Sequence, residues 1–211
     1  MARRHGEEGW ERALAEQLAA GVPVPDARFD RLFEESLRLR AGLHFTPVAV
    51  AARAAAWLTE GGATEVADLG AGAGKLCLVG AATTAARFTG IERRPWLVEV
   101  ARDLARRLGL DRAQFVVGDL RRVPLGRYQA FYVYDPFSEP GAEPDEWLDA
   151  SPPTEDRAAD VACLLDRLGA APAGTRLAWL CGLGGPTPPG YRLVREEPVN
   201  ERGDLLQCWE R

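Results

Sequence analysis

The sequence lacks any long hydrophobic run, although 46% of its 211 residues are hydrophobic. No apolar stretch reaches the ~20 residues that a helix needs to cross a bilayer. Arg3 and Arg4 are followed by charged, amphipathic sequence instead of the apolar run of a secretory signal. These absences predict a cytoplasmic protein without membrane contact. The length fits one α/β domain, in which residues 1–60 form a helical extension packed on a core of residues 61–211.

Paired cysteines are also absent. The four cysteines, Cys77, Cys163, Cys181 and Cys208, stand singly in apolar surroundings, and no CxxC pair or nearby histidine completes a zinc site. We therefore predict reduced core cysteines and no metal. Only Cys77, just after a glycine-rich turn, lies where a helix N-terminus could lower the pKa of a thiol.

An excess of positive charge is also absent, because 31 acidic residues outnumber 26 basic ones and the formal net charge is −5. A protein with this balance has no electrostatic reason to seek a phosphate backbone. A protein or a small molecule is therefore favoured over nucleic acid as the partner. The oligomeric state stays open at this point.

Helical patterns come first along the chain, and short apolar runs that alternate with helices follow. This order predicts βαβ units and a doubly wound, mostly parallel α/β sheet of seven strands. Thr46 is a good N-cap for the third helix, and Pro47 suits its first position. Helices are predicted at 8–20, 26–40, 47–60, 95–108 and 154–168, and strands at 65–69, 87–91, 113–117, 128–134, 175–180, 191–197 and 205–210.

The last two predicted strands are joined by residues 198–203. A parallel crossover needs a dozen or more residues, so this ending should be an antiparallel hairpin. Such a hairpin at the end of a doubly wound sheet is typical of methyltransferases, whereas dinucleotide dehydrogenases usually continue with another βα unit.

A glycine-rich turn follows the first predicted strand, in the segment VADLGAGAGKLC. Asp68 ends the strand, and the turn that opens the next helix contains Gly70, Ala71, Gly72 and Gly74. Glycine permits positive φ and lets the backbone approach a ligand closely. We therefore expect the main-chain amides of the three glycines to meet a ligand at the helix N-terminus.

The spacing around this turn separates nucleotide-binding classes. A phosphate-binding Walker A loop would need glycine at 69 and serine or threonine at 76, but both positions are leucine. The dinucleotide pattern would need glycine or alanine at 75, where Lys75 stands. An NAD-dependent oxidoreductase is nevertheless kept as an alternative, because other features are shared with NAD enzymes.

Three further acidic side chains, Glu92, Asp119 and Asp135, follow predicted strands. Glu92 follows the second strand, where a carboxylate can accept two hydrogen bonds from ribose hydroxyls. Asp119 and Leu120 follow the third, and the segment YVYDPFSE places Asp135 after the fourth. Open α/β sheets bind ligands at this edge. Each acid could also be a simple turn former.

From about Arg38 to its end, the chain resembles class I S-adenosylmethionine-dependent methyltransferases. The resemblance rests on the acid-x-Gly-x-Gly-x-Gly pattern, on the acids at the strand ends and on the partial match of Asp-Pro-Phe to the loop of amino-methylating enzymes. The GIE and DPF elements are similar to Rossmann-type protein-lysine methyltransferases, and the HFTP segment to small bacterial enzymes.

The resemblance implies S-adenosylmethionine as cofactor and N-methylation of a protein or small-molecule amine. It implies that Asp119 accepts from the adenine amine, that Asp135 and the Pro136 carbonyl orient the target nitrogen, and that Phe137 packs against the acceptor. A methyltransferase-like module without catalysis is the non-enzymatic alternative. The cofactor contacts implied are Phe45, Thr46, Pro47, Asp68, Gly70, Ala71, Gly72, Gly74, Glu92, Asp119 and Leu120.

The segment 138–154 is long, acidic and rich in proline. Loops of this length are uncommon without a role, so a substrate lid is one hypothesis. A solvated run of charge is the other.

Overall fold

A seven-stranded sheet with the order β3-β2-β1-β4-β5-β7-β6 forms the centre of the chain. The computed structural model describes residues 2–137, 148, 156–185 and 187–211, with side chains from residue 9 onward. β7 runs antiparallel to both β5 and β6, and the other pairs are parallel. The predicted fold class and the C-terminal hairpin are therefore confirmed. The strands are β1 (Glu65–Leu69), β2 (Arg87–Glu92), β3 (Ala113–Val117), β4 (Ala130–Tyr134), β5 (Arg176–Leu180), β6 (Arg192–Pro198) and β7 (Leu205–Glu210).

Helices cover both faces of the sheet, and a hydrophobic cluster fills the space on each face. β1 and β4 lie in the middle and are buried along almost their whole length, as expected for the central strands of a sheet that is covered on both faces. Within the described residues, no helix is long and apolar enough to cross a membrane. The helices are α1 (Ala2–Ala19), α2 (Asp26–Phe29), α3 (Glu35–His44), α4 (Val48–Thr59), α5 (Lys75–Thr83), α6 (Pro95–Leu108) and α7 (Arg157–Gly169), with a 3-10 turn at Asp30–Leu32.

The prediction of one continuous helix over 26–40 is wrong. α2 and the 3-10 turn end at Phe33, whose backbone is extended with φ −84° and ψ 151°, and α3 starts two residues later. The ring of Phe33 packs 5.1 Å from that of Phe45, and Asp26 and Asp30 both bind Lys75. These tertiary contacts override the helical periodicity of the segment.

The predicted N-cap of α4 is also wrong. The helix begins at Val48, and the Val48 amide donates to Asp26 Oδ1 at 2.9 Å. The Thr46 hydroxyl is instead hydrogen-bonded to the hydroxyl of Tyr132 at 2.8 Å. Because Tyr132 is fully buried, its phenol needs such a partner. Asp26 therefore caps a helix that is distant from it in sequence.

Candidate functional site

A cavity of about 780 Å³ lies at the carboxyl edge of the parallel strands. Its volume is in the range of small-molecule and cofactor sites. One side is bounded by the segments after β1, β2 and β3, and the other by those after β4 and β5 and before β7. The predicted site residues that line it are Phe45, Gly70, Gly72, Glu92, Asp119, Leu120, Asp135, Pro136 and Phe137.

A second cavity of about 20 Å³ adjoins the glycine turn, and Thr46, Asp68 and Ala71 line it. It has room for about one water molecule. Pro47 and Gly74 line neither of these two cavities. Pro47 is exposed at the start of α4, and a Cβ on Gly74 would lie 2.5 Å from the ring of Phe115. Gly74 therefore serves the packing of the turn against the core.

The glycine turn touches two other parts of the site. Gly70 has a φ of +91°, and a Cβ there would lie 2.4 Å from Cβ of Pro136. Gly72 has a φ of +53°, and its Cβ would lie 3.1 Å from the Phe45 ring. Glycine is needed at both positions because L side chains rarely adopt this φ and the neighbours leave little room. The turn is thus packed directly against the Asp135–Phe137 segment.

The amides of the glycine turn are not free donors, which corrects the expectation from the sequence. Gly70 donates to the Ile91 carbonyl and Gly74 to the Ala71 carbonyl. Gly72 donates to Glu92 Oε2 at 3.0 Å. The turn therefore offers a ligand close backbone approach and carbonyl oxygens more than amide hydrogens.

Glu92 is a buried carboxylate on the cavity wall. Its Oε2 accepts from the Gly72 amide and its Oε1 from the Arg94 amide at 2.9 Å. Each ionised oxygen keeps further acceptor capacity. The two amides thus fix the carboxylate in one orientation while it can still accept hydrogen bonds from a ligand.

Asp68 is 4% exposed, and burial raises its pKa to about 7. The thiol of Cys77 donates to Asp68 Oδ2 at 3.7 Å. Burial, followed by the nearby charge of Asp68, raises the pKa of Cys77 well above its usual range. Cys77 is therefore a buried core thiol, as the sequence predicts, and burial outweighs any effect of the helix N-terminus on its pKa.

Lys75 joins the glycine turn to the N-terminal helices. Its Nζ lies 2.5 Å from Asp26 Oδ1 and 2.7 Å from Asp30 Oδ1, and 5.4 Å from the centroid of the Phe29 ring. The side chain is 3% exposed. Sequence reasoning excluded Lys75 as a phosphate ligand but missed this ion pair, because the partners lie more than forty residues earlier in the chain.

Asp119 carries a bidentate contact with Arg121, whose Nη2 donates to Oδ2 at 2.8 Å. This hydrogen bond lowers the pKa of Asp119. Asp119 is therefore an ionised acceptor at the cavity wall. Arg121 was not singled out from the sequence, although it stands two residues away.

Asp135 is held by Arg157, the first residue of α7. Arg157 Nη2 donates to Asp135 Oδ2 at 2.7 Å and to the Leu183 carbonyl at 3.2 Å, and its Nε donates to the Phe137 carbonyl at 3.2 Å. One guanidinium thus ties the Asp135–Phe137 segment to α7 and to the loop after β5. Apart from the predicted start of a helix nearby, no local sequence pattern indicates this contact.

Cys181 corrects the prediction that all four cysteines are core residues. It is exposed, has a φ of +62° and lines the large cavity beside Tyr134 and Asp204. Cys77 and Cys208 are buried, as predicted, and Cys163 is half-buried. Over the described residues, no group of three histidine, cysteine or acidic side chains is placed to hold a metal ion. The proposed lid at 138–154 lies outside the described residues, apart from Leu148.

Comparisons with known proteins bear on the fold of this chain. Residues 61–134 match the family described as a methyltransferase domain. No curated protein matches the chain in sequence. Many solved structures match it in fold.

TrmN from Thermus thermophilus matches with a TM-score of 0.57 and 19% sequence identity. The match covers 82% of this chain and 51% of TrmN, so the chain spans about half the length of that protein. An RNA methyltransferase from Salinibacter ruber, solved with S-adenosyl-L-homocysteine, has a TM-score of 0.53 and 22% identity, covering 78% of this chain and 92% of the enzyme. An O-methyltransferase from Bacillus cereus, also solved with S-adenosyl-L-homocysteine, matches with a TM-score of 0.55 and 13% sequence identity. The match covers 97% of this chain and 100% of the enzyme.

At these identities the similarity concerns the fold. The strand order, the C-terminal hairpin and the glycine turn after β1 all agree with it. The chain therefore has the Rossmann-like fold of class I S-adenosylmethionine-dependent methyltransferases, and its residues 61–134 match their methyltransferase domain.

Proposed function

We propose that the chain binds S-adenosylmethionine in the large cavity and transfers its methyl group to an amine of a protein or a small molecule. One observation carries the proposal. The glycine turn, the acids Glu92 and Asp119, and the Asp135–Phe137 segment all border one continuous cavity. The relatives from Salinibacter ruber and Bacillus cereus, which were solved with S-adenosyl-L-homocysteine, support the choice of cofactor.

The residues present fit this cofactor. Glu92 would accept from the ribose hydroxyls, since both its oxygens are oriented and retain lone pairs. Asp119 and Leu120 would hold the adenine. Asp68 would face the methionine ammonium, because it is buried and borders the small cavity beside Thr46.

Methyl transfer is an in-line displacement, and the bound cofactor supplies both the methyl group and the leaving group. The chain mainly has to hold the acceptor in line and exclude water. Gly70 packs closely against Pro136, so the candidate acceptor segment would lie beside the bound cofactor. Phe137 and Tyr134 would form apolar walls of the acceptor pocket. No nucleophile of the protein is required.

An amine must be neutral when it attacks, and a pocket with little water favours the neutral form. Carboxylates at the entrance would first attract the protonated amine. Asp135 and Asp204 line the half of the cavity that lies beyond the glycine turn. Arg157 balances the charge of Asp135, so the carboxylate of Asp204 is the one that supports an amine as acceptor over a hydroxyl group.

Calorimetric titration with S-adenosyl-L-homocysteine and with NAD tests the cofactor. We expect binding of S-adenosyl-L-homocysteine and none of NAD. Transfer of labelled methyl from S-adenosylmethionine to amines, but not to matched alcohols, tests the acceptor. Binding of NAD instead, or binding of S-adenosyl-L-homocysteine without transfer to any acceptor, would contradict the proposal and favour an oxidoreductase or a module without catalysis.

Glu92→Ala is expected to weaken binding of S-adenosyl-L-homocysteine by at least ~1 kcal/mol, because hydrogen bonds to a charged group contribute about 1.5–3 kcal/mol. The measurement is calorimetry of the variant beside the wild type. Glu65→Gln is the matched control, since Glu65 is a partly exposed carboxylate at the other end of β1 from the glycine turn, where it pairs with Arg87. If both variants bind like the wild type, Glu92 is not a ligand of the ribose.

A further inference from the structure

Asp204 is a carboxylate at the cavity that sequence reasoning missed. It directly precedes β7, and β7 runs antiparallel to β5. The start of β7 therefore lies beside the end of β5, where the Cys181 amide donates to the Leu205 carbonyl at 2.9 Å. The antiparallel hairpin thus brings an acid from the end of the chain to the carboxyl edge of the sheet.

The turn between β6 and β7 holds Asp204 in place. Asn200 Nδ2 donates to Asp204 Oδ2 at 2.7 Å, and the Asp204 amide donates to Asn200 Oδ1 at 3.2 Å. The Val199 amide donates to the Asp204 carbonyl at 2.8 Å. Asn200 is exposed, whereas Asp204 is half-buried and lines the cavity. The carboxylate is thus oriented before any ligand arrives.

Asp204 and Asp135 differ in their counter-ions. The charge of Asp135 is balanced by Arg157 at 2.7 Å. In the part of the chain that the structure describes, no cationic side chain pairs with Asp204, whose partners are the neutral groups of Asn200 and Cys181. A carboxylate at a cavity wall without a cation creates a negative potential there.

Two neighbours of Asp204 have raised pKa values, to which its charge contributes after burial. Partial burial of the thiol, followed by the charge and hydrogen bond of Asp204 and the charge of Asp135, raises the pKa of Cys181 to about 11. Burial raises the pKa of Tyr134 as well, with contributions from Cys181, Asp204 and Asp135. Both groups line the cavity. The half of the cavity beyond the glycine turn therefore disfavours added negative charge.

We infer that Asp204 binds the cationic group of the methyl acceptor, and that Asp135, held by Arg157, fixes the shape of the acceptor loop. This inference deepens the proposed function and rests on it for the identity of the reaction. It narrows the acceptor to a molecule that arrives as a protonated amine. Asp204 would attract the cation, and the amine would lose its proton to solvent before it moves against the methyl group.

Cys181 provides a probe of this site that needs no knowledge of the acceptor. In a Cys163→Ser background, the exposed Cys181 is modified with two methanethiosulfonates of similar size, one with a trimethylammonium group and one with a sulfonate. We expect the cationic reagent to react faster in the wild type. Asp204→Asn should lower the ratio of the two rates by about tenfold, as expected for removal of a unit charge a few ångströms away. The ratio cancels the accompanying change in the thiol pKa.

Matched variants keep this experiment decisive. Glu201→Gln removes an exposed acid from the same hairpin and should leave the ratio unchanged. Asp135→Asn should change it less than Asp204→Asn, because Arg157 already balances that charge. An equal ratio in the wild type and Asp204→Asn, or a larger effect from Asp135→Asn, overturns the inference.

The same thiol tests the ligand class. 1,5-Diaminopentane should slow alkylation of Cys181 in the wild type but not in Asp204→Asn, and 1,5-pentanediol should have no effect in either. The inference is contradicted if the diol protects Cys181 from alkylation as well as the diamine does, or if the diamine gives no protection. Protection by the diamine that survives in Asp204→Asn contradicts it as well. Calorimetry with S-adenosyl-L-homocysteine, whose sulfur is uncharged, tests the proposed cofactor separately, and Asp204→Asn should retain the wild-type affinity.

Discussion

Lys75→Met is expected to lower the free energy of unfolding by about 3–5 kcal/mol, the usual cost of removing one partner from a buried ion pair. The variant leaves Asp30 buried without its cation, while the methionine fills a similar volume against Phe29. Natural domains are stable by only about 5–15 kcal/mol, so this loss is large. Urea unfolding of the variant beside the wild type measures it.

The pH dependence of this loss identifies its cause. Burial already raises the pKa of Asp30, and Lys75 opposes that shift. Without Lys75 the pKa rises further, so the native state takes up a proton more readily than the unfolded chain. The loss in free energy of unfolding caused by Lys75→Met should therefore become smaller as pH falls through the raised pKa of Asp30. A deficit that is the same at neutral and at mildly acidic pH would point to lost packing and not to the bare carboxylate.

Arg53→Met is the matched control for this experiment. Arg53 also forms an ion pair between distant parts of the chain, 2.7 Å from Glu197, but its side chain is 55% exposed. Exposed pairs contribute about 0–1 kcal/mol. If Lys75→Met costs no more than Arg53→Met, the buried pair does not anchor the N-terminal helices to the glycine turn.

Asp68→Asn is expected to make the protein more stable at pH above about 7 and to weaken cofactor binding. Asp68 has a pKa of about 7 in the folded chain, against 3.8 for an ordinary aspartate. The native state therefore binds more protons than the unfolded chain between these values, and stability falls as pH rises through that window. The difference between these two pKa values corresponds to about 4 kcal/mol of unfolding free energy. The free energy of unfolding of Asp68→Asn should not fall in this way as pH rises.

The same carboxylate governs binding in the opposite direction. An ammonium group of the cofactor would favour the ionised form of Asp68, so affinity for S-adenosyl-L-homocysteine should decrease as pH falls below about 7. In Asp68→Asn the affinity should be lower throughout and should lose this dependence. Calorimetry across this pH range makes the measurement. A variant that is neither stabilised at alkaline pH nor weakened in binding would exclude an ionised Asp68 from the site.

The sequence predicts the sheet well because its signals are local. β1, α6, β3 and β7 have the predicted bounds, since each is a strongly patterned run between turn residues. The residues that end β1, β2, β3 and β4 reach one edge of the sheet because these parallel strands share their direction. Nine of the predicted site residues consequently line one cavity.

The features that the sequence does not predict depend on contacts between distant residues. Three such contacts join segments that no local sequence pattern relates: Lys75 with Asp30, Arg157 with Asp135, and Asp204 with Cys181. The apolar sequence neighbours of Cys181 predict a core residue. Its position after β5 instead places it at the edge of the sheet, where the strand ends and the cavity begins.

A crystal structure of the protein with S-adenosyl-L-homocysteine would show directly whether the large cavity is the cofactor site. We expect ribose hydroxyls within about 3 Å of the Glu92 oxygens, adenine beside Asp119, and the sulfur facing the segment between Asp135 and Phe137. A ligand bound outside this cavity, or bound there in the reverse direction with its sugar away from Glu92, would rule out this cofactor site.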